Sequence, residues 1–166
     1  MMPVWSVPSP LQYFAALVQS DEQLPLLEAA ASLGQDEYPE LDVAQVLTEV
    51  DRLAERLRRR VGPGGSALKR LHGLREFFFG ELGFAGNVND YHDPDNSFLH
   101  VVLHTRRGIP ISLAVLWLEL ARSLELRADG IGFPGHFLVQ AYLGAGRVVI
   151  DPFTGESLAA SELRRR

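Results

Sequence analysis

Residues 108–151, GIPISLAVLWLELARSLELRADGIGFPGHFLVQAYLGAGRVVID, decide the fold. The first part is apolar almost all round, through Ile111, Leu113, Ala114, Val115, Leu116, Trp117, Leu118, Leu120 and Ala121. A helix with that character belongs inside a core. Gly108-Ile109-Pro110 turns the chain and sets proline in the first helical turn, where its missing N–H costs nothing. The pattern therefore predicts a buried helix from about Pro110 to Leu124. Beyond it the period shortens. Ala128–Phe133, His136–Leu143 and Arg147–Ile150 are short, β-branched or aromatic, and divided by Pro134-Gly135 and Gly144-Ala145-Gly146. They read as strands, the last two as an antiparallel hairpin.

Upstream, the chain reads as helical. Residues 1–10 carry Pro3, Pro8 and Pro10 and form an irregular lead-in; Leu11–Val18 and Leu24–Leu33 suggest two short helices, the second closed by Gly34. Asp42 is placed to cap a longer helix, with Gln45 three residues on and Val43, Val46, Leu47, Val50, Leu53 and Leu57 at helical spacing. Gly62-Pro63-Gly64-Gly65 stops it, and Ser66 starts another running to about Phe79. Residues 83–97, GFAGNVNDYHDPDNS, are loop-forming, after which Asn96 or Ser97 is placed to cap a short helix, FLHVVLH. Helices first, then a central buried helix on a small antiparallel sheet, make an α+β fold. The expected organisation is one domain over 1–166, helical over 1–80 and with its core in 81–166.

Composition narrows the chemistry. The chain holds 166 residues, 46% of them hydrophobic and 22% charged, enough for a core without staples. It has no cysteine, which removes thiol nucleophiles, thiolate metal sites and disulfides together. A net charge of −5 has the wrong sign for a general nucleic-acid binder. No apolar run reaches membrane-spanning length, and no basic region followed by an apolar one opens the chain. The expectation is a cytoplasmic protein that binds neither nucleic acid nor membrane. Lys69 is the only lysine; the arginine runs Arg58–Arg60 and Arg164–Arg166 sit at expected helix ends, where cations complement terminal carbonyls.

Two residues stand where chemistry is done. His136 opens one strand and Asp151 follows the next, so the hairpin brings them to one end of the sheet. A histidine oriented by a carboxylate is the base half of a nucleophilic triad, whose other half belongs at the N-terminus of the buried helix. The same residues are also explained as a strand histidine and a turn former before Pro152.

The strings YHDPDNSFLHVVLHTRRGIPISLAVLWLELARSLEL, GFPGHFLVQAYL and VVIDPFTG resemble, in wording and order, the SirB-type branch of the transglutaminase-like superfamily. The resemblance runs over roughly Asp36 to Gly155. It implies a papain-like, cysteine-proteinase-like core with the nucleophile on a helix and histidine and aspartate on the strands that follow. Members of that branch often continue into tetratricopeptide repeats, an extension expected to be missing from these 166 residues. In active relatives the nucleophile is cysteine, with alanine three residues later. Aligning that alanine with Ala114 puts Ile111 at the nucleophile position and Ser112 one beyond it.

At about 100° per residue, Ile111, Ala114, Leu118 and Ala121 share an apolar face, whereas Ser112 falls in line with Glu119 and Ser123. If the apolar face packs on the sheet, Ser112 points away from His136. A helix terminus lowers a pKa by only about one unit, enough for a thiol but not for an alcohol.

The resulting expectation is a core without cysteine-type activity. Its His136/Asp151 edge and a groove at Asp93, Asn96, Ser97, Pro134 and Gly135 would bind a peptide or protein segment, with no cofactor and no metal. The alternative is a serine-dependent hydrolase or acyl-transferase using Ser112, His136 and Asp151. A zinc site at His92, His100 and His104 lacks a fourth ligand. Asp90, Asp93, Asp95 and Asn96 lack the bidentate glutamate of a calcium loop, and Asx-turns account for them.

Overall fold

The computed structural model describes Leu27, Ala30, Ala31 and residues 38–133, 136–144 and 146–158, with the side chains of Phe133 and His136 outside that description. Of the two helices expected before Gly34, Leu27, Ala30 and Ala31 are helical and buried; the remainder lies outside the described residues.

Helix α1 spans Val43–Val61, and the Asp42 carboxylate caps it by accepting the Gln45 N–H at 3.3 Å. Gly62 ends it at φ 80°, donating its N–H to the Arg58 carbonyl. Ser66 caps α2, Ala67–Arg75, by accepting the Lys69 N–H at 3.1 Å. The expected run to Phe79 changes character at Glu76, where the backbone widens into a π-helical turn over Glu76–Glu81. That wider turn directs Phe77 and Phe78 into the core, where both are fully buried and Phe78 stacks on Phe84 at 4.5 Å. Strand β1 (Ala85–Gly86) pairs in parallel with β2 (Arg107–Gly108), a two-residue link that no periodicity announces. Between them lie a 3₁₀ turn, Pro94–Ser97, and α3, Leu99–Thr105. Neither Asn96 nor Ser97 caps α3. Its N-cap is Phe98 with no side-chain bond, because Asn96 is spent elsewhere.

Helix α4, Pro110–Ser123, is the spine of the molecule. Leu113, Ala114, Val115, Leu116, Trp117, Leu120 and Ala121 are all buried. It packs against β3 (Ala128–Phe133) and β4 (His136–Leu143) on one side and α1 on another. β5 (Gly146–Ile150) and β6 (Ser157–Leu158) complete an antiparallel sheet of order β3-β4-β5-β6. The register pairs Ala128 with Ala141, Val139 with Ile150, and Phe133 with His136. Alternation then divides the sheet. Phe137, Val139, Ala141 and Ile150 join the main core with α4, while Leu138, Val149 and Leu158 form a smaller cluster with Ile131. Helices and a small antiparallel sheet make the fold α+β.

Candidate functional site

The N-terminus of α4 meets the Asn/Asp loop through one side chain. Ser112 is fully buried, and its hydroxyl donates to the Asn96 carbonyl at 2.6 Å. The same oxygen accepts the Ile109 N–H at 3.1 Å, satisfying one of the donors a helix start leaves open. The sequence places Ser112 on a polar stripe; the structure gives that side no solvent there. Gly108 presses so close that a Cβ would stand 2.7 Å from the serine oxygen. Ile111 is half-buried and packs against the main core.

Asn96 is the hub of the loop, 4% exposed. Its amide donates to the carbonyls of Asp90 (2.9 Å) and Tyr91 (2.8 Å), and its amide oxygen accepts from Asn87 Nδ2 at 2.8 Å. Both donor hydrogens are used, so the side chain holds the loop rather than facing a ligand. Asp93 turns the chain by accepting the Asp95 N–H at 2.9 Å. Ser97 is half-buried, and its hydroxyl has no hydrogen-bond partner among the described residues. Pro134 and Gly135 lie outside the described residues.

Asp151 follows directly on β5, and β4 opens at His136, so both positions stand at the same end of the two inner strands. The Asp151 carboxylate accepts the Phe153 N–H at 2.8 Å, and its carbonyl accepts the Gly155 N–H at 2.7 Å. Phe153 in turn accepts the Gly86 N–H at 3.0 Å, with its ring against Gly86 and 5.7 Å from that of Tyr91. The Asn87 N–H donates to the Gly108 carbonyl at 2.8 Å. The helix start, the Asn/Asp loop and the Asp151 turn are therefore joined through Ser112, Asn96, Asn87, Gly86 and Phe153. Sequence reading did not single out Asn87 or Tyr91. The Asn-rich composition of residues 87–96 was the available signal for Asn87, and Tyr91, 46% exposed, had none.

The histidines do not converge. His92 stacks edge-on against Tyr91 at 5.4 Å and is exposed, as is His104. His100 stands 4.6 Å from Tyr38, whose hydroxyl donates to Asp95. Burial lowers the His100 pKa and the nearby Asp95 carboxylate opposes that shift. Among the described residues no three His, Asp or Glu side chains form a metal-sized cluster.

Comparison with known proteins fixes the family. A family profile described as "Transglutaminase-like superfamily" matches residues 44–166, from α1 to the last residue of the chain. The chain belongs to the transglutaminase-like superfamily. Its transglutaminase-like relatives include the UPF0162 protein of Xylella fastidiosa strain 9a5c, 39% identical over all of this chain and 57% of that protein. The UPF0162 protein of Vibrio cholerae is 30% identical over 86% of this chain and 53% of its own length. Human F-box only protein 21 is 37% identical over half of this chain, which is 13% of that protein. The chain thus spans about half the length of the UPF0162 relatives. No solved structure matches it. Within the described residues no helix is long and apolar enough to cross a membrane.

Proposed function

We propose that this chain is a non-catalytic binding or regulatory module of the SirB-type branch, working in the cytoplasm as one transglutaminase-like domain. It takes a peptide or protein segment along the end of the sheet, where the His136 and Asp151 positions border the Asn/Asp loop. The observation that carries the reading is the fate of the hydroxyl at the start of α4. With no cysteine in 166 residues, Ser112 is the only nucleophile type beside the expected position, and it is buried and bonded to the Asn96 carbonyl at 2.6 Å. An alcohol also needs direct contact with a general base to attack. The His136 and Asp151 positions that would serve a nucleophile are kept in the sequence, while the hydroxyl nearest the expected position serves the loop. Recurrence of half the chain inside a much larger protein supports a module that functions by what it binds.

The test is chemical. Purified protein is assayed for amidase and transamidase turnover and treated with a fluorophosphonate probe beside Ser112→Ala. No turnover and equal background labelling of both proteins is the expected outcome. Labelling of the wild type alone would establish the serine-dependent alternative with His136 and Asp151.

A further inference from the structure

The three arginines ending α1 have three different fates. Arg60 pairs with Glu81 at 3.0 Å and Arg59 with Glu55 at 3.2 Å. The Arg58 guanidinium has no ion pair or hydrogen bond among the described residues. It lines an open cavity of about 570 Å³ bounded by the end of α1, the Gly62–Gly64 turn, α2 and the end of α4. Arg70 of α2, half-buried, lines the same cavity and is equally unpaired among the described residues. Glu125, just past α4, also lines it as an exposed carboxylate with no ion pair among the described residues, as does the Arg59–Glu55 pair, whose charges are matched to each other. The Ser123 hydroxyl is already spent on the Leu120 carbonyl at 2.6 Å.

Glu125 is conspicuous for its backbone as well as its charge. It sits just past α4 at φ 57°, the left-handed conformation that glycine normally supplies at a helix end. Closing the helix does not require a carboxylate there, whereas a site facing the cavity gives one a purpose. The unspent charges are then two guanidinium groups and one carboxylate, in a volume within the ordinary range of small-ligand sites. Arginine pairs with carboxylates through a planar fork of donors. We propose that this cavity binds a small zwitterion richer in carboxylate than in amine, Arg58 and Arg70 each taking a carboxylate and Glu125 the ammonium. The site is separate from the His136 end, since neither the α4 N-terminus nor the 86–97 loop lines it.

The experiment is calorimetric titration of the intact chain with three probes: L-glutamate, glutarate (the same two carboxylates without the amine) and 1,4-diaminobutane. L-glutamate is expected to bind, glutarate about tenfold more weakly, and the diamine not at all. Arg58→Gln and Arg70→Gln each weaken L-glutamate by about tenfold, the ligand-free melting temperature being unchanged for Arg70→Gln and lowered by no more than about 4 °C for Arg58→Gln, which also loses a helix-end cation. Glu125→Gly removes the preference for L-glutamate over glutarate while leaving the melting temperature equal or higher, because glycine accepts the left-handed backbone. Absence of heat with L-glutamate, equal affinity for glutarate, or indifference to both arginine substitutions would each overturn the proposal.

Discussion

The Ser112 hydroxyl donates to the Asn96 carbonyl at 2.6 Å, a bond from the first turn of the central helix to a loop sixteen residues earlier. It fixes the loop against the helix and removes the hydroxyl from solvent in one step. Ser112→Ala leaves the Asn96 carbonyl and the Ile109 N–H without that partner, at a cost of about 1–3 kcal/mol. Urea unfolding should show that loss, with any residual hydrolytic background unchanged.

Asn96 is the more sensitive position, since it closes three side-chain bonds in a buried setting. Asn96→Asp exchanges an amide donor for an acceptor facing the Asp90 and Tyr91 carbonyls. It should therefore destabilise more than Asn96→Ala, by about 1 kcal/mol or more. Hydrogen exchange should show the excess opening concentrated in residues 86–97.

Gly86 tests the link from the loop to the Asp151 turn. A Cβ there would lie 2.3 Å from the Phe153 ring, so Gly86→Ala must displace one of them. Phe153→Leu makes room. A double-mutant cycle should therefore give a favourable coupling of about 0.5–3 kcal/mol between the two substitutions, and strict additivity would show that the two sites do not meet.

His100 gives the fold a pH dependence of known sign. Burial lowers its pKa in the folded state below the ordinary value near 6.5, so the unfolded chain takes up the proton first. The stability it contributes is complete above that value and declines as pH falls below it toward the folded pKa. His100→Gln should flatten the stability curve just below pH 6.5; a curve unchanged by the substitution would show that His100 is not its source.

The regular elements were legible because their signals are local. Asp42, Ser66 and Pro110 mark helix starts, and Gly144 to Gly146 marks the hairpin turn, all from contacts within a few residues. The buried helix announced itself through Leu113 to Ala121, and the three expected strands, β3 to β5, fell within one residue of expectation, whereas the two-residue strands β1, β2 and β6 are too short to carry a period. The site was less legible because it is made of long-range bonds. Nothing near Asn96 tells that its carbonyl meets Ser112, and the helical wheel, which ranks Ser112 with Glu119, assumes that a polar stripe faces water. The αL backbone at Glu125 was hidden for the same reason: glycine is the usual marker, and it is not there.

The central claim is that the hydroxyl at the start of α4, Ser112, is spent on the Asn/Asp loop, which leaves position 111 as the one the family resemblance aligns with the nucleophile. Because the chain has no cysteine, Ile111→Cys and Ser112→Cys each report one position without background. Rates of alkylation by iodoacetamide against pH would measure both. The account predicts a readily alkylated thiol at 111, titrating below the ordinary value of about 8.5, and a thiol at 112 that stays unreactive until the protein unfolds. Faster alkylation at 112 than at 111 in the folded protein would contradict it.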